Sequence, residues 1–233
     1  MMNKTHFSSF LLLISVCFSV SAEIDRVYHP YVEAYKSEIE YRMLYKNDKN
    51  PVRDGTQIHR LSFGHSLTER FSMEAYAIAK NLPTKSFSID AYELEGKLQL
   101  TEQGEFWSDW GLLFELERDT EINKWETGLG VLWEKEWGDI VTTANFFIDY
   151  EFGSGVQNEF ETAFHSQVKY RWSRYFEPAI ELYMDEETRG LGPIFLGSKK
   201  VGVNKIKWEL GFIFSFDDKT ANQNLRFHLD YEF

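Results

Sequence analysis

The chain is almost without cysteine. Its one thiol, Cys17, sits in the apolar run Phe10-Leu11-Leu12-Leu13-Ile14-Ser15-Val16-Cys17-Phe18. Lys4 ahead of that run and Val20-Ser21-Ala22 behind it have the layout of an export signal, with cleavage expected after Ala22. A lipoprotein cut at Cys17 fits poorly, because Val16 stands where a small residue is wanted and Phe18 prolongs the apolar stretch. With the signal gone, the chain from Glu23 onward has no disulfides and no cysteine metal sites. Basic residues are scarce as well: 25 Lys and Arg against 37 Asp and Glu give a net charge of −12, the wrong sign for a nucleic-acid partner. Beyond residue 22 no apolar run approaches the roughly 20 residues of a spanning helix. Nor does any Pro- or Ser-rich linker or sustained charge block divide the chain, so residues 23–233 read as one domain after a signal peptide at 1–22.

Aromatic residues, in contrast, are abundant. They make up 17% of the chain while its mean hydropathy is only −0.41. A barrel that crosses a membrane reconciles the two, because only alternate residues touch lipid and aromatics gather at both interfaces.

Alternation is the main pattern. Trp125, Thr127, Leu129, Val131 and Trp133 share one face, against Glu126, Gly128, Gly130, Leu132 and Glu134. Ile140 to Phe152 repeats it, with Phe146, Ile148 and Tyr150 opposed by Asn145, Asp149 and Glu151. Phe160, Thr162, Phe164, Ser166 and Val168 then oppose Glu159, Glu161, Ala163, His165 and Gln167. A period of two over so many residues describes a strand and not a helix of 3.6 residues per turn. These runs also exceed the usual 5–6 residues of a soluble strand and reach the 9–11 of a tilted membrane strand.

Turn residues divide the chain into strands near 32–45, 57–67, 71–79, 87–100, 107–118, 124–137, 140–152, 159–172, 176–185, 191–198, 205–216 and 223–233. The fold class is therefore all-β: a transmembrane, antiparallel, up-and-down β-barrel of about twelve strands, with ten as the fallback if 71–79 and 191–198 fail. An even count puts both termini on the periplasmic side. Hydrocarbon cannot satisfy an open sheet edge, so the first strand must meet the last. Trp107, Trp110, Trp125, Trp137, Trp172, Tyr175 and Trp208 supply the interfacial aromatics.

The last strand alternates Leu225, Phe227, Leu229, Tyr231 and Phe233 with Asn224, Arg226, His228, Asp230 and Glu232. An aromatic at the final carboxylate resembles the terminal signal of Gram-negative outer-membrane barrels, which implies recognition of Phe233 by the barrel-assembly machinery. The stretches Leu191-Gly192-Pro193-Ile194-Phe195-Leu196-Gly197, Trp208-Glu209-Leu210-Gly211-Phe212 and Tyr231-Glu232-Phe233 are similar to the endings of porin-like or transporter-like proteobacterial barrels. The resemblance implies an outer-membrane location, lipid as partner and passage of a small solute; it carries no catalytic residues.

The polar face of the strands is rich in acids. A lumen lined by them points to a narrow channel for small cationic or neutral solutes, with Glu126, Glu134, Asp149, Glu151, Glu159 and Glu161 as selectivity candidates and Lys169 and Arg171 as local opposition. The loops between strands are short, so any pore is expected to be shaped by wall residues. The alternatives are a structural or surface barrel filled by its own side chains and a membrane-embedded lipid hydrolase. Outer-membrane lipases and lipid A deacylases place Ser and His on one face, whereas His65-Ser66 and His165-Ser166 are adjacent and diverge. No two His share a face closely enough within a strand to suggest a metal, and no cofactor is expected.

Overall fold

Lipid-facing apolar residues and a polar interior, alternating along each strand, give a closed antiparallel barrel in the computed structural model, which describes residues 24–83, 85–186, 188–217 and 220–233. Its strands are β1 (Ser37–Asn47), β2 (Gln57–Ser66), β3 (Phe71–Leu82), β4 (Lys85–Gln99), β5 (Asp109–Asp119), β6 (Lys124–Trp137), β7 (Ile140–Gly153), β8 (Glu159–Tyr170), β9 (Glu177–Met184), β10 (Arg189–Val201), β11 (Asn204–Ser215) and β12 (Gln223–Glu232). Each pairs with its neighbours in sequence, and β12 returns to β1. The expected signal peptide and its cut after Ala22 lie outside the described residues.

The closing seam runs from Glu38 opposite Glu232 to Asn47 opposite Gln223. Ser37 and Phe233 complete it by exchanging backbone hydrogen bonds of 3.0 and 2.9 Å. No strand edge is left open, as hydrocarbon requires. The rim where β1 starts and β12 ends is called the near rim; the far rim carries the 48–56 loop.

Outward positions hold the large apolar side chains, among them Leu129, Phe146, Ile148, Phe160 and Val168, all exposed. Trp107, Trp110, Trp137, Trp172 and Tyr175 stand exposed toward the near rim. There Trp107 packs on both Trp133 and Trp137, and the Lys135 ammonium lies 5.2 Å from the Trp107 ring. This is the arrangement of an interfacial girdle, with rings at the lipid boundary and a cation reaching water.

One part of the sequence reading needs correction. The first strand begins at Ser37 and not near residue 32. Pro30 cannot donate to a ladder, and Tyr35 has a positive φ of 55°, a conformation that breaks an extended run. The chain turns at Tyr35. Residues 24–32 lie inside the barrel, and Glu33 and Ala34 are exposed at its near rim.

Candidate functional site

The lumen is occupied by the chain's own N-terminal segment. At the near rim, Lys205 donates to Glu33 at 2.9 Å, which holds the Glu33 carboxyl below the usual carboxylate range. The Val32 amide donates to Gln99 Oε1 at 2.8 Å, and the Tyr31 hydroxyl to Asp109 Oδ2 at 2.8 Å. Pro30 then passes against Gly111, where an added β-carbon would fall 3.0 Å from the Pro30 α-carbon. The absence of a side chain at Gly111 makes room for the crossing. His29 meets Glu134, which also accepts from Thr143 Oγ1 at 2.9 Å.

Asn145 holds the middle of the segment. Its side chain accepts from the Tyr28 amide at 2.7 Å and donates to the Tyr28 carbonyl at 2.8 Å. One buried amide thereby satisfies both backbone groups of one residue, which could not stay unpaired away from water. Deeper in, the Arg226 guanidinium donates to the Asp25 carbonyl at 2.7 Å, and the Asp25 carboxylate pairs with Arg42.

Arg26 reaches a group of buried acids. It pairs with Glu40, and its second terminal nitrogen lies 3.8 Å from Glu95 and 4.0 Å from Glu74. The segment's apolar side chains face other walls. Ile24 and Val27 join a buried cluster with Leu44, Ile58, Ile78, Tyr183, Ile194 and Ile213; Tyr28 joins a second with Leu113, Leu132 and Phe147. The segment therefore contacts acids on some strands and hydrocarbon on others.

On the far side of this stopper lies a cavity of about 710 Å³. Ile24 to Arg26 and Tyr28 line its inner end, and Lys46, Arg53, Asp119 and Asn224 line it toward the far rim. The wall built by β4 to β8 contributes Glu93, Glu115, Glu117, Glu126, Asp149 and Glu161, with Lys124 and the buried His165 among them. Arg60 on β2 and Lys80 on β3 line the same space beside β4, with Lys80 3.0 Å from Asp90. Arg60 is engaged by Glu93 at 2.7 Å.

The structure separates the residues singled out from sequence. Glu126, Asp149 and Glu161 line the cavity together. Glu151 is buried against Lys124 at 2.9 Å. Glu134 lies below the stopper, bound to His29 and Thr143, and so serves as an anchor for the segment. Glu159 is exposed at the far end of β8. Lys169 and Arg171 sit near the near rim, where Lys169 lies 3.5 Å from Glu177 and Arg171 forks onto Glu136 at 2.8 and 2.5 Å. Neither opposes the acids of the cavity. The expectation of a lumen shaped by wall residues alone is corrected by the segment at 24–34. Its one legible signal was Pro30, a residue ill suited to a wall strand.

Two carboxylate triads bring oxygens within 4.8 Å of one another: Glu38, Asp230 and Glu232, and Glu93, Glu95 and Glu115. Lys207 serves the first, and Arg60 and Arg26 serve the second. Each thus has ammonium or guanidinium where a metal would sit. Ser37 and His65 make a cross-strand contact of 3.0 Å near the near rim. Among the described residues no carboxylate or amide side chain orients the other side of that imidazole, as nucleophilic catalysis would require.

No protein-family model matches the chain, and no curated protein matches it. Among solved structures it is similar to the KdgM porin, at 14% identity over 84% of this chain and 98% of the other, with a TM-score of 0.52. It is also similar to an outer membrane channel from Pseudomonas putida F1, at 15% identity, 90% and 99% coverage and a TM-score of 0.56. A third similarity is to the translocator domain of the autotransporter NalP from Neisseria meningitidis, at 10% identity, 87% and 88% coverage and a TM-score of 0.61. At these identities the likeness establishes the fold.

Proposed function

We propose, from the outer-membrane barrel fold that this chain has, that it is a narrow channel preferring small cations, stopped at rest by residues 24–34. In this reading the near rim faces the periplasm and the far rim the cell exterior. The observation that carries it is the acidic wall of the cavity. Glu115, Glu117, Glu126, Asp149 and Glu161 project from four adjacent strands into one space of about 710 Å³, with Lys124 as the base beside them. Like charges at such spacing in a low-dielectric barrel concentrate cations and repel anions. Salt weakens the effect over a Debye length of about 10 Å at 0.1 M. That one structural neighbour is a porin and another an outer membrane channel agrees with this reading.

The test is the reversal potential, in a planar bilayer under a salt gradient, of the refolded protein lacking residues 24–34. A cation-selective potential that moves toward zero in the Asp149→Asn, Glu161→Gln double variant supports it. An anion-selective potential, or one indifferent to those two residues, contradicts it.

The stopper also supports a second reading, a barrel with a permanently filled lumen. Its apolar contacts resemble a soluble core, and both backbone groups of Tyr28, the Val32 amide and the Asp25 carbonyl are bonded. That reading requires silence from the intact protein under every condition, with the segment never leaving the lumen.

A further inference from the structure

At the inner end of the stopper, the Arg26 guanidinium sits among acids that form a receptor for such a group. Glu40, Glu74 and Glu95 come from β1, β3 and β4 and are 2%, 5% and 2% exposed. All three lie within ion-pair reach of Arg26. Arg26 fills this place incompletely. Only Glu40 is in close contact; Glu95 and Glu74 stand at 3.8 and 4.0 Å, well beyond the 2.7–2.9 Å of a charge-assisted hydrogen bond. Glu95 Oε2 and Arg26 Nε are both buried with no hydrogen-bond partner. The backbone on either side of Arg26 is anchored, by Arg226 at the Asp25 carbonyl and by Asn145 at Tyr28.

Withdrawing the segment removes Asp25 and Arg26 together. Glu40, Glu74, Glu93 and Glu95 then remain against Arg42 and Arg60, with His228 2.8 Å from Glu40. Glu40 keeps Arg42 and His228 and Glu93 keeps Arg60, whereas Glu74 and Glu95 lose the cation nearest them, which is costly for carboxylates held away from water. The vacated site therefore has a strong demand for a replacement with several N–H donors. Ser62, which donates to Glu74, and Tyr76, which lies 3.5 Å from Glu40, keep two of those acids in place when Arg26 leaves.

We propose that Glu40, Glu74 and Glu95 form a binding site for small organic cations bearing guanidinium or primary amine groups, and that Arg26 occupies it at rest as a tethered stand-in for such a solute. The inference rests on the channel reading for the word solute; binding itself does not require conduction. A tethered group competes at an effective concentration set by the length and stiffness of its link. A free cation displaces it at comparable or higher concentration, and the release of Arg26 loosens the stopper. The occupant thereby couples solute binding to opening.

The experiment uses the refolded mature protein in detergent micelles, with agmatine and guanidinium as probes. In the full chain, Arg26→Ala removes the stand-in and leaves its place empty. Millimolar guanidinium should raise the heat-unfolding midpoint of that variant, while equal urea or sodium chloride should not. Calorimetric titration should detect agmatine binding to it, at least tenfold weaker once Glu74→Gln and Glu95→Gln are added. If Arg26→Ala does not refold, Arg26→Gln removes the charge with a smaller loss of packing and tests the same point. Absence of binding, rescue by sodium chloride alone, or indifference to the two glutamates overturns the site. A channel that conducts yet binds no agmatine discards the site and keeps the channel; a silent barrel that binds it does the reverse.

Discussion

Replacing Asn145 by alanine isolates the attachment of the stopper from the wall. Asn145 is fully buried, lies on β7, and spends both ends of its amide on the Tyr28 backbone at 2.7 and 2.8 Å. The variant leaves a buried N–H and a buried C=O without their partner. Each such group costs about 1–3 kcal/mol, reduced where water reaches it, so the attached state should lose about 2–4 kcal/mol. At a factor of ten per 1.4 kcal/mol, the detached population rises roughly 30- to 1,000-fold. The interstrand ladder is untouched, so the barrel itself should unfold at nearly the same temperature. Hydrogen exchange read by mass spectrometry separates the two effects. The peptide spanning 24–36 should exchange faster by about that factor, while peptides from β6 and β7 keep their protection. Unchanged exchange at 24–36 would refute the clamp. A uniform acceleration across the whole barrel would refute the independence of wall and stopper.

Two further outcomes bear on the wall. Val131 faces outward between Leu112 and Phe146 on the neighbouring strands, so Val131→Arg should lower insertion into lipid vesicles by about 2–4 kcal/mol if it lies near the midplane; normal insertion would show that this face does not meet lipid. Deleting Phe233 removes the terminal ring, stacked 5.7 Å from Tyr231, along with one end of the closing seam. Yield in the outer membrane of cells should fall more than the heat stability of the refolded barrel, and equal losses in both would place its role in the finished wall.

The wall was legible in sequence because lipid imposes a rule on every second residue. Strand β6 runs from Lys124 to Trp137, as its alternation predicts, and β7 differs by one residue. Strand β10 extends beyond the predicted 191–198 in both directions, and it runs through Pro193 although that residue lacks a ladder donor. The stopper obeys no such rule. Ile24 to Val32 meets acid, amide and hydrocarbon in turn, because each residue faces a different strand, and no fixed period results. Its partners are also remote: Tyr28 and Asn145 are 117 positions apart, Asp25 and Arg226 201. Glu93, Glu95 and Glu115 were legible as inward residues, yet nothing along the chain marked them above other inward acids. Their weight comes from convergence across strands, which only the closed barrel provides. Glu134 shows the reverse, an inward acid whose partner is His29 of the stopper and not the cavity.

The central claim is that a cation-selective passage exists and that residues 24–34 close it. Single-channel recording of the refolded mature protein beside a variant lacking those residues tests it most directly. The interstrand bonds that close the barrel do not involve the segment, so the shortened chain retains the ladder that makes the wall. The account predicts a nearly silent intact protein and a conducting variant whose reversal potential in a salt gradient marks cations as the carriers. Equal conductance from both proteins would show that the segment closes nothing, and silence from both would show that there is no passage to close.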